Sequence, residues 1–238
     1  MEKGKLIVLE SCDGAGKSTQ IQLITKYFES ANLKCVHEHF PKYGHNEFSD
    51  IIAKFLRGEF GGVNDVDPYF VANIYAMDRF MYLPTLLKQL EENDVVLLDR
   101  YVYSNIAFQC AKVKDNVERI KLLKWIEEFE FEFLKLPRPN LTLFLDVPID
   151  VVKERLTDRK GEDREYLEGK QDIHEADLDF QSTVTDIYKG LSLILNKGLY
   201  SLSEDKNYHI VECVKNDKIL TPEEIFNSYK SRINVLFM

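Results

Sequence analysis

ESCDGAGKST occupies residues 10–19, directly after a short apolar run, Leu6 to Glu10, and ahead of a segment with helical periodicity. Gly14 and Gly16 allow backbone amides to turn towards an anion at a helix N-terminus, where the helix dipole favours negative charge. This order of strand, glycine-containing loop and helix is typical of a phosphate-binding loop. The strict pattern has Gly at the first position of the loop, where this chain has Ser11.

The residues of the loop are predicted to bind different parts of a nucleoside triphosphate. Lys17 is expected to hold the β- and γ-phosphates, and Ser18 to offer a hydroxyl to Mg²⁺. The residues predicted to bind the triphosphate through this loop are Asp13, Gly14, Ala15, Gly16, Lys17, Ser18 and Thr19.

The rest of the chain alternates apolar runs with helical segments, which predicts a parallel sheet covered on both faces. We expect one domain over residues 1–238, an α/β three-layer α/β/α sandwich with a five-stranded parallel sheet and the P-loop NTPase fold. The predicted strands are Leu6–Glu10, Cys35–Phe40, Val95–Asp99, Leu141–Asp146 and His209–Cys213. The predicted helices are Lys17–Ala31, Asn46–Arg57, Tyr69–Glu92, Asn116–Leu134, Asp150–Arg159, His174–Asn196 and Glu223–Val235.

Charge and cysteine content exclude several classes of protein. The 31 basic and 40 acidic residues give a net charge of −9, which argues against a general nucleic-acid or membrane-surface binder. The four cysteines form no CxxC pair, so neither a zinc site nor a disulfide framework is predicted. The apolar run at Leu6 to Leu9 is too short for a signal sequence or a membrane span. We therefore expect a cytoplasmic protein.

Two further groups of residues carry candidate chemistry. Asp99 and Arg100 follow the third strand, at the sheet edge where ligands collect, so Asp99 can hold Mg²⁺ through water and Arg100 can bind a phosphate. Tyr75, Arg79 and Tyr82 share one face of a helix and could contact a nucleobase, although such a face alone is also typical of packing.

Taken together, these residues resemble the thymidylate kinase family over nearly the whole chain. The matching stretches are ESCDGAGKST at 10–19, HFPKYG at 39–44, YAMDRF at 75–80, LLDRYVYSNIAFQ at 97–109 and LFLDVP at 143–148. The resemblance implies the nucleoside monophosphate kinase fold and transfer of the γ-phosphoryl group of MgATP to thymidine 5′-monophosphate, giving dTDP and ADP. It also implies a homodimer.

The resemblance assigns roles on the acceptor side. Tyr75 would stack on thymine, and Arg79 would donate to a thymine carbonyl. Asp13 would accept a hydrogen bond from the 3′-hydroxyl of the deoxyribose, and Phe108 would pack where a ribose carries its 2′-hydroxyl. Arg100 would bridge the acceptor phosphate and the transferred phosphoryl group. The full set of implied substrate-binding residues is Asp13, Phe40, Pro41, Tyr75, Arg79, Arg100, Ser104, Phe108 and Gln109.

Two departures from the family pattern shape the expected mechanism. Some members have an Arg at the position of Gly14, so here the catalytic cations are expected in a mobile lid at about residues 158–172, with Arg159 and Arg164 as candidates. Tyr43 stands where many members have a phosphate-binding Arg, and Lys42 is a weak substitute. Residues expected on the adenine side are Arg155 and Val214.

Alternatives remain open from sequence alone. A deoxynucleoside kinase or a kinase for another pyrimidine monophosphate would share the fold, although Arg79 and Arg100 favour a phosphorylated acceptor. A non-catalytic nucleotide-binding module is disfavoured because Lys17, Ser18 and Asp99 are all present. His174 could line the substrate side of the lid, although a place at a helix start is preferred.

Overall fold

The computed structural model describes residues 4–158, 165–170, 172–198 and 207–238. Within these ranges the main sheet consists of β1 (Lys5–Glu10), β2 (Cys35–His39), β3 (Val95–Asp99), β4 (Leu141–Asp146) and β5 (Tyr208–Glu212). The strands are all parallel, in the order β2-β3-β1-β4-β5. The predicted five-stranded parallel sheet is confirmed, with each boundary within one residue of its prediction.

Helices surround this sheet. They are α1 (Lys17–Ser30), α2 (Glu47–Leu56), α3 (Pro68–Glu92), α4 (Val102–Cys110), α5 (Asn116–Glu127), α6 (Ile149–Asp158), α7 (Ile173–Ala176), α8 (Leu178–Asn196) and α9 (Pro222–Val235). A short antiparallel pair, β6 (Val214–Lys215) and β7 (Lys218–Ile219), follows β5. None of the described helices has both the length and the apolar character needed to cross a bilayer.

Side chains of the central strands alternate between two apolar layers. Leu6 and Val8 of β1 point into a core formed with α3, α4 and α8, whereas Ile7 and Leu9 pack against α1, α6 and α9. Both faces of the sheet are therefore buried, which explains the near-continuous apolar runs. Because Leu9 pairs with Asp99 in register, the loop after β1 and the segment after β3 leave the sheet side by side.

Two helix predictions differ from the structure, and the sequence analysis misses a third helix, α4. All nine residues of α4 are buried, so this helix has no polar face that would produce a helical pattern. The segment Asn116–Leu134 is α-helical only to Glu127 and continues as a π-helix over Glu128–Phe133. The segment from His174 is interrupted at Asp177, whose side chain caps α8 by accepting from the amide of Phe180 at 2.9 Å.

Candidate active site

The lysine of the phosphate-binding loop is held by polar partners. Lys17 Nζ donates to Ser11 Oγ at 3.0 Å and lies 3.7 Å from Asp99 Oδ1. The Ser11 hydroxyl in turn donates to the carbonyl of Cys12 at 2.7 Å. Burial, followed by the nearby charge of Arg100, lowers the pKa of Lys17. Ser11 departs from the usual glycine, and here its side chain holds the lysine in place.

The conformation and the surroundings of the loop both require glycine at position 14. Gly14 has a φ of +75°, in the region that favours glycine. A Cβ atom there would lie 3.2 Å from Leu156 Cγ and 3.3 Å from the carbonyl oxygen of Val152. Helix α6 thus packs directly on the loop, and a side chain at position 14 would have to displace Leu156 or Val152 slightly.

Arg155 of α6 also contacts the loop. Its Nη1 atom donates to the carbonyl oxygens of Ala15 at 3.2 Å and Gly14 at 3.4 Å. It borders a cavity of about 390 Å³ on the α1 side of the loop, which Leu220 also lines. Among the described residues Val214 does not line this cavity, and the predicted adenine role of Val214 has no support from its position.

Arg100 connects the end of β3 with the loop after β1. Its backbone has a φ of +67°, and its amide donates to the carbonyl of Leu9 at 2.9 Å. Its Nη1 atom donates to the carbonyl of Ser11 at 2.8 Å and to Ser104 Oγ at 3.2 Å. Its Nη2 atom donates to Asp13 Oδ1 at 2.7 Å. The guanidinium group is therefore held between the loop after β1 and the start of α4.

Asp13 is ionised in this arrangement. Burial alone would raise its pKa, but the positive charges of Arg100 and Lys17 outweigh burial and lower the pKa to about 2. Gln181 Nε2 also donates to its Oδ2 atom at 3.3 Å. Asp13 is thus a fixed anion at the boundary between the two halves of the site.

A second carboxylate, Glu10, supports the start of α4. Its Oε1 atom accepts from the amides of Tyr101 at 3.0 Å and Ser104 at 3.2 Å. Its Oε2 atom accepts from the hydroxyls of Ser104 and of Tyr188, the latter at 3.1 Å. Helix α4 has no cap from its own N-cap side chain, so Glu10 satisfies amides at that helix start from the neighbouring strand.

The nine residues that the sequence assigned to the acceptor line one cavity. These are Asp13, Phe40, Pro41, Tyr75, Arg79, Arg100, Ser104, Phe108 and Gln109. The volume is about 70 Å³, below the roughly 300 Å³ or more of pockets that hold small-molecule ligands, so a nucleotide would need the surrounding side chains to move outward. Leu56, Asn105, Asp172 and His174 also line the cavity.

His174 belongs to this cavity and also to a helix start. Its amide donates to Asp172 Oδ1 at 2.8 Å, which caps α7. Its ring lies 5.1 Å from the ring of Phe108 and 5.5 Å from that of Phe55. Burial, followed by the charge of Lys112, lowers the pKa of His174 to about 3, so the imidazole is neutral at physiological pH.

The side chains of Lys42 and Tyr43 contact neighbouring residues. The ammonium group of Lys42 pairs with Glu38 and lies 4.2 Å from the ring centroid of Tyr82. Tyr43 instead stacks on Tyr166, with ring centroids 4.0 Å apart and planes 3° from parallel. Tyr82, predicted on the face with Tyr75 and Arg79, donates to Glu38 Oε1 at 2.6 Å.

The described part of the predicted lid is attached to the end of α2. Arg57 Nη1 donates to the carbonyl of Tyr166 at 2.8 Å and lies 3.0 Å from Glu168 Oε1. Together with the stack of Tyr166 on Tyr43, these contacts hold residues 165–170 against α2 and the segment after β2. Arg159 and Arg164 lie outside the described residues.

Sequence analysis missed two carboxylates that organise the site. Glu10 is predicted only as the last residue of the first strand and the first residue of the loop motif, and Glu130 only as part of a helix. Glu130 forms a bidentate ion pair with Arg79, with distances of 2.6 and 2.7 Å, and both side chains are buried. No local pattern connects Glu130 with Arg79, because 51 residues separate them in sequence.

The sequence is similar to those of known proteins. The sequence model of thymidylate kinase matches residues 9–214. The chain belongs to the thymidylate kinase family. Membership assigns it the family's reaction, the phosphorylation of dTMP in dTTP synthesis with ATP as phosphoryl donor.

Individual relatives support this family assignment. A thymidylate kinase of Mycobacterium tuberculosis is 33% identical over 187 residues, covering 79% of this chain and 85% of the relative. A probable thymidylate kinase of Saccharolobus solfataricus is 29% identical, covering 89% and 95%. The solved thymidylate kinase of Candida albicans shares the fold, with a TM-score of 0.68, 24% identity and coverage of 98% of this chain and 92% of that one.

Arg57→Ala is expected to weaken acceptor binding selectively. Loss of the contacts to Tyr166 and Glu168 releases residues 165–170, so the KM for dTMP should rise about fivefold or more while the KM for ATP stays within about twofold. Steady-state kinetics with each substrate varied provide the measurement. Lys170→Ala is the control, because its pair with Glu59 is exposed and should contribute little. Equal changes in both KM values would contradict the expectation.

Proposed function

We propose that the acceptor nucleotide occupies the cavity between Arg79 and Arg100, and that the triphosphate of ATP lies on the loop of residues 13–19. The observation that carries this proposal is the convergence of nine residues, from α3, α4 and the loops after β1, β2 and β3, on one cavity. This cavity adjoins a second, more polar one that includes Lys17, Ser18 and Asp99. Donor and acceptor phosphates would meet where Asp13 and Arg100 border both cavities.

On the donor side, Lys17 neutralises the β- and γ-phosphates. Its ammonium group is already held by Ser11 and lies near Asp99, so it is oriented before ATP binds. Phosphoryl transfer depends mainly on positioning and charge stabilisation, and a preoriented cation supplies both.

Mg²⁺ is proposed at Ser18 and Asp99. Asp99 Oδ1 is buried without a hydrogen-bond partner among the described residues, and both side chains offer the oxygen donors that Mg²⁺ prefers. When bound, the metal would offset negative charge on the phosphates.

On the acceptor side, Arg100 would bind the monophosphate and Asp13 the 3′-hydroxyl. The ion pair between them holds both side chains at the required boundary. Phe108 packs under the Arg100 guanidinium group at 5.0 Å, which places its ring beside the region proposed for the sugar. Tyr75 is proposed to stack on the base, with Arg79 at its carbonyl.

The remaining cations are proposed to act around the triphosphate. Arg155 would stack on adenine, a role supported by its place at the rim of the 390 Å³ cavity. Because Gly14 leaves the loop without an arginine, Arg159 and Arg164 remain the proposed catalytic cations of the lid, on sequence grounds alone.

The protein is further proposed to be a cytoplasmic homodimer. Support for the dimer comes from apolar residues exposed along one side of α3, which are Phe70, Phe80, Met81, Pro84 and Leu87. Such a row on one helix is typical of a surface that associates with another protein. The cysteines without disulfides are consistent with a reducing compartment.

Lys17→Ala is expected to lower kcat for dTMP phosphorylation by about a hundredfold or more, because it removes a charge that stabilises the transferring group. A coupled assay for ADP formation measures this rate, and circular dichroism checks the fold. Lys26→Ala, an exposed change on the same helix, should keep full activity. Wild-type turnover in Lys17→Ala would contradict the proposed donor site.

Phe108→Ala is expected to narrow the preference for deoxyribose by about tenfold or more, because it removes the ring proposed to clash with a 2′-hydroxyl. The measurement is the ratio of kcat/KM for the deoxy and ribo forms of thymidine monophosphate. Phe133→Ala, at a ring that is 75% exposed, is the control. An unchanged ratio would show that Phe108 does not discriminate between deoxyribose and ribose.

Sedimentation velocity tests the dimer. The wild type is expected as a particle of twice the chain mass of 27.8 kDa. Met81→Lys should shift it towards the monomer, because a charge is costly in an apolar interface. Val117→Lys, at an exposed position on α5, should leave the mass unchanged. A monomeric wild type at micromolar concentration would refute the proposal.

A further inference from the structure

His39 is the last residue of β2, and its exposed side chain borders the polar cavity of the phosphate-binding loop. This cavity has a volume of about 270 Å³, and Lys17, Ser18 and Asp99 also line it. In the part of the chain that the structure describes, no hydrogen bond or ion pair engages the imidazole group. Its nitrogen atoms are therefore available to a ligand in the cavity, and neither the donor site nor the acceptor site proposed above uses them.

The order of the strands places Asp99 between the phosphate-binding loop and His39. Strand β3 is hydrogen-bonded to β1 on one side and to β2 on the other. Asp99 pairs in register with Leu9 of β1 and with His39 of β2. Residues paired in this way on parallel strands point to the same face of the sheet, and neighbouring strands lie about 4.8 Å apart. The side chains of His39 and Asp99 are therefore neighbours in one row across the sheet.

Helix α1 covers the face of the sheet on which this row lies. Leu9 belongs to the apolar layer beneath α1, and α1 packs against both β2 and β3. The helix begins at Lys17, so Ser18 lies in its first turn. Lys17 Nζ is 3.7 Å from Asp99 Oδ1, which shows how closely the start of α1 approaches the end of β3. A ligand at Asp99 would thus meet Ser18 on the side of the loop and His39 on the side of β2.

These three side chains offer a mixed set of metal donors. Ser18 and Asp99 offer oxygen atoms, which Mg²⁺ prefers. His39 offers an imidazole nitrogen, which suits first-row transition metals. Within the described ranges, no three His, Cys, Asp or Glu side chains are grouped so that they could hold a metal ion by themselves. Phosphate oxygens of the nucleotide would therefore complete the coordination, as is usual in sites that bind a metal together with a nucleotide.

His37 is the same residue type on the same strand and serves as a comparison. It lies two residues before His39, so both side chains point to one face of the sheet. The side chain of His37 is also exposed, but it pairs in register with Leu97 and is not among the described residues that line the cavity. Only the histidine at the strand end is thus placed beside the proposed metal site.

We propose that His39 supplies a nitrogen ligand to a transition metal at the donor site, and that the site therefore favours Mn²⁺ over Mg²⁺. Mg²⁺ loses its waters reluctantly and prefers oxygen, so the imidazole stays outside its coordination sphere. A first-row transition metal exchanges a water for the imidazole more readily. This inference rests on the proposed function, in which Ser18 and Asp99 hold the metal beside the triphosphate.

The first test uses pulsed electron paramagnetic resonance of Mn²⁺ bound to the enzyme with the β,γ-methylene analogue of ATP, which cannot transfer its terminal group. Protein labelled with nitrogen-15 only at histidine separates imidazole nitrogen from the nitrogens of adenine. The wild type and His37→Ala should show a nitrogen-15 coupling to Mn²⁺, and His39→Ala should lack it.

The same measurement separates failure of this inference from failure of the proposed function. Bound Mn²⁺ without a histidine coupling in the wild type would overturn the inference and leave the donor site intact. A coupling that persists in His39→Ala would overturn it as well. If Mn²⁺ and the analogue do not bind to the enzyme together, the proposed donor site itself is refuted.

His39→Ala also tests the metal preference. In the complex with the ATP analogue, its affinity for Mn²⁺ should fall about tenfold, because loss of a group that holds a metal or its ligands has an effect of this size. Its affinity for Mg²⁺ should stay within about twofold of the wild type, because Mg²⁺ keeps its oxygen ligands. Titration of the free Mn²⁺ signal measures the first affinity, and competition by Mg²⁺ measures the second. His37→Ala should keep both affinities.

His39→Gln provides a second route if His39→Ala does not fold. It keeps a polar side chain at the strand end but removes the imidazole, so it should lose Mn²⁺ affinity as His39→Ala does. Thermal denaturation establishes that each variant is folded. A folded variant at position 39 with the wild-type affinity for Mn²⁺, or with equal losses for Mn²⁺ and Mg²⁺, would overturn the inference, because a purely structural role does not distinguish the two ions.

Discussion

Arg100 joins the end of β3 to the loop after β1, and the acceptor side of the site is built around that connection. A left-handed backbone costs a residue with a side chain about 1–2 kcal/mol. Here the side chain in that conformation donates to Ser11, Ser104 and Asp13. Hydrogen bonds of a charged group contribute about 1.5–3 kcal/mol each, enough to offset the strain. The same three bonds hold the loop, α4 and the arginine in one geometry.

Two neighbouring buried carboxylates differ in the direction of their pKa shifts because their partners differ in charge. Asp13 contacts Arg100 directly, and its pKa falls to about 2. Glu10 receives mainly neutral donors, from two amides and the hydroxyls of Ser104 and Tyr188, and burial raises its pKa. Asp13 therefore supplies a permanent negative charge at the substrate boundary, whereas Glu10 mainly supplies hydrogen-bond acceptors that position α4.

The sequence predicts those parts of the site that follow directly from strand ends. The loop at 10–19 and Arg100 come immediately after β1 and β3, so parallel pairing alone brings them together. The sequence pattern does not predict helix α4, because its full burial removes the alternation of polar and apolar faces that marks a helix. The resemblance to the family nevertheless selects Ser104, Phe108 and Gln109, which lie on this helix. The contacts of Glu130 and the packing of Leu156 on Gly14 depend on tertiary approach between distant segments, and no spacing in the sequence encodes them.

The site uses an arginine paired with a carboxylate at each end of the acceptor cavity. Arg100 pairs with Asp13 at the end near the loop, and Arg79 pairs with Glu130 at the other. Buried ion pairs contribute little to stability compared with apolar packing of the same volume, because desolvation offsets the attraction. These ion pairs act mainly by orienting the arginines. Each carboxylate binds some of the guanidinium N–H donors, and the remaining donors then point in a fixed direction. An arginine without its carboxylate would keep its charge and lose that direction, because no fixed acceptor would then orient its donors.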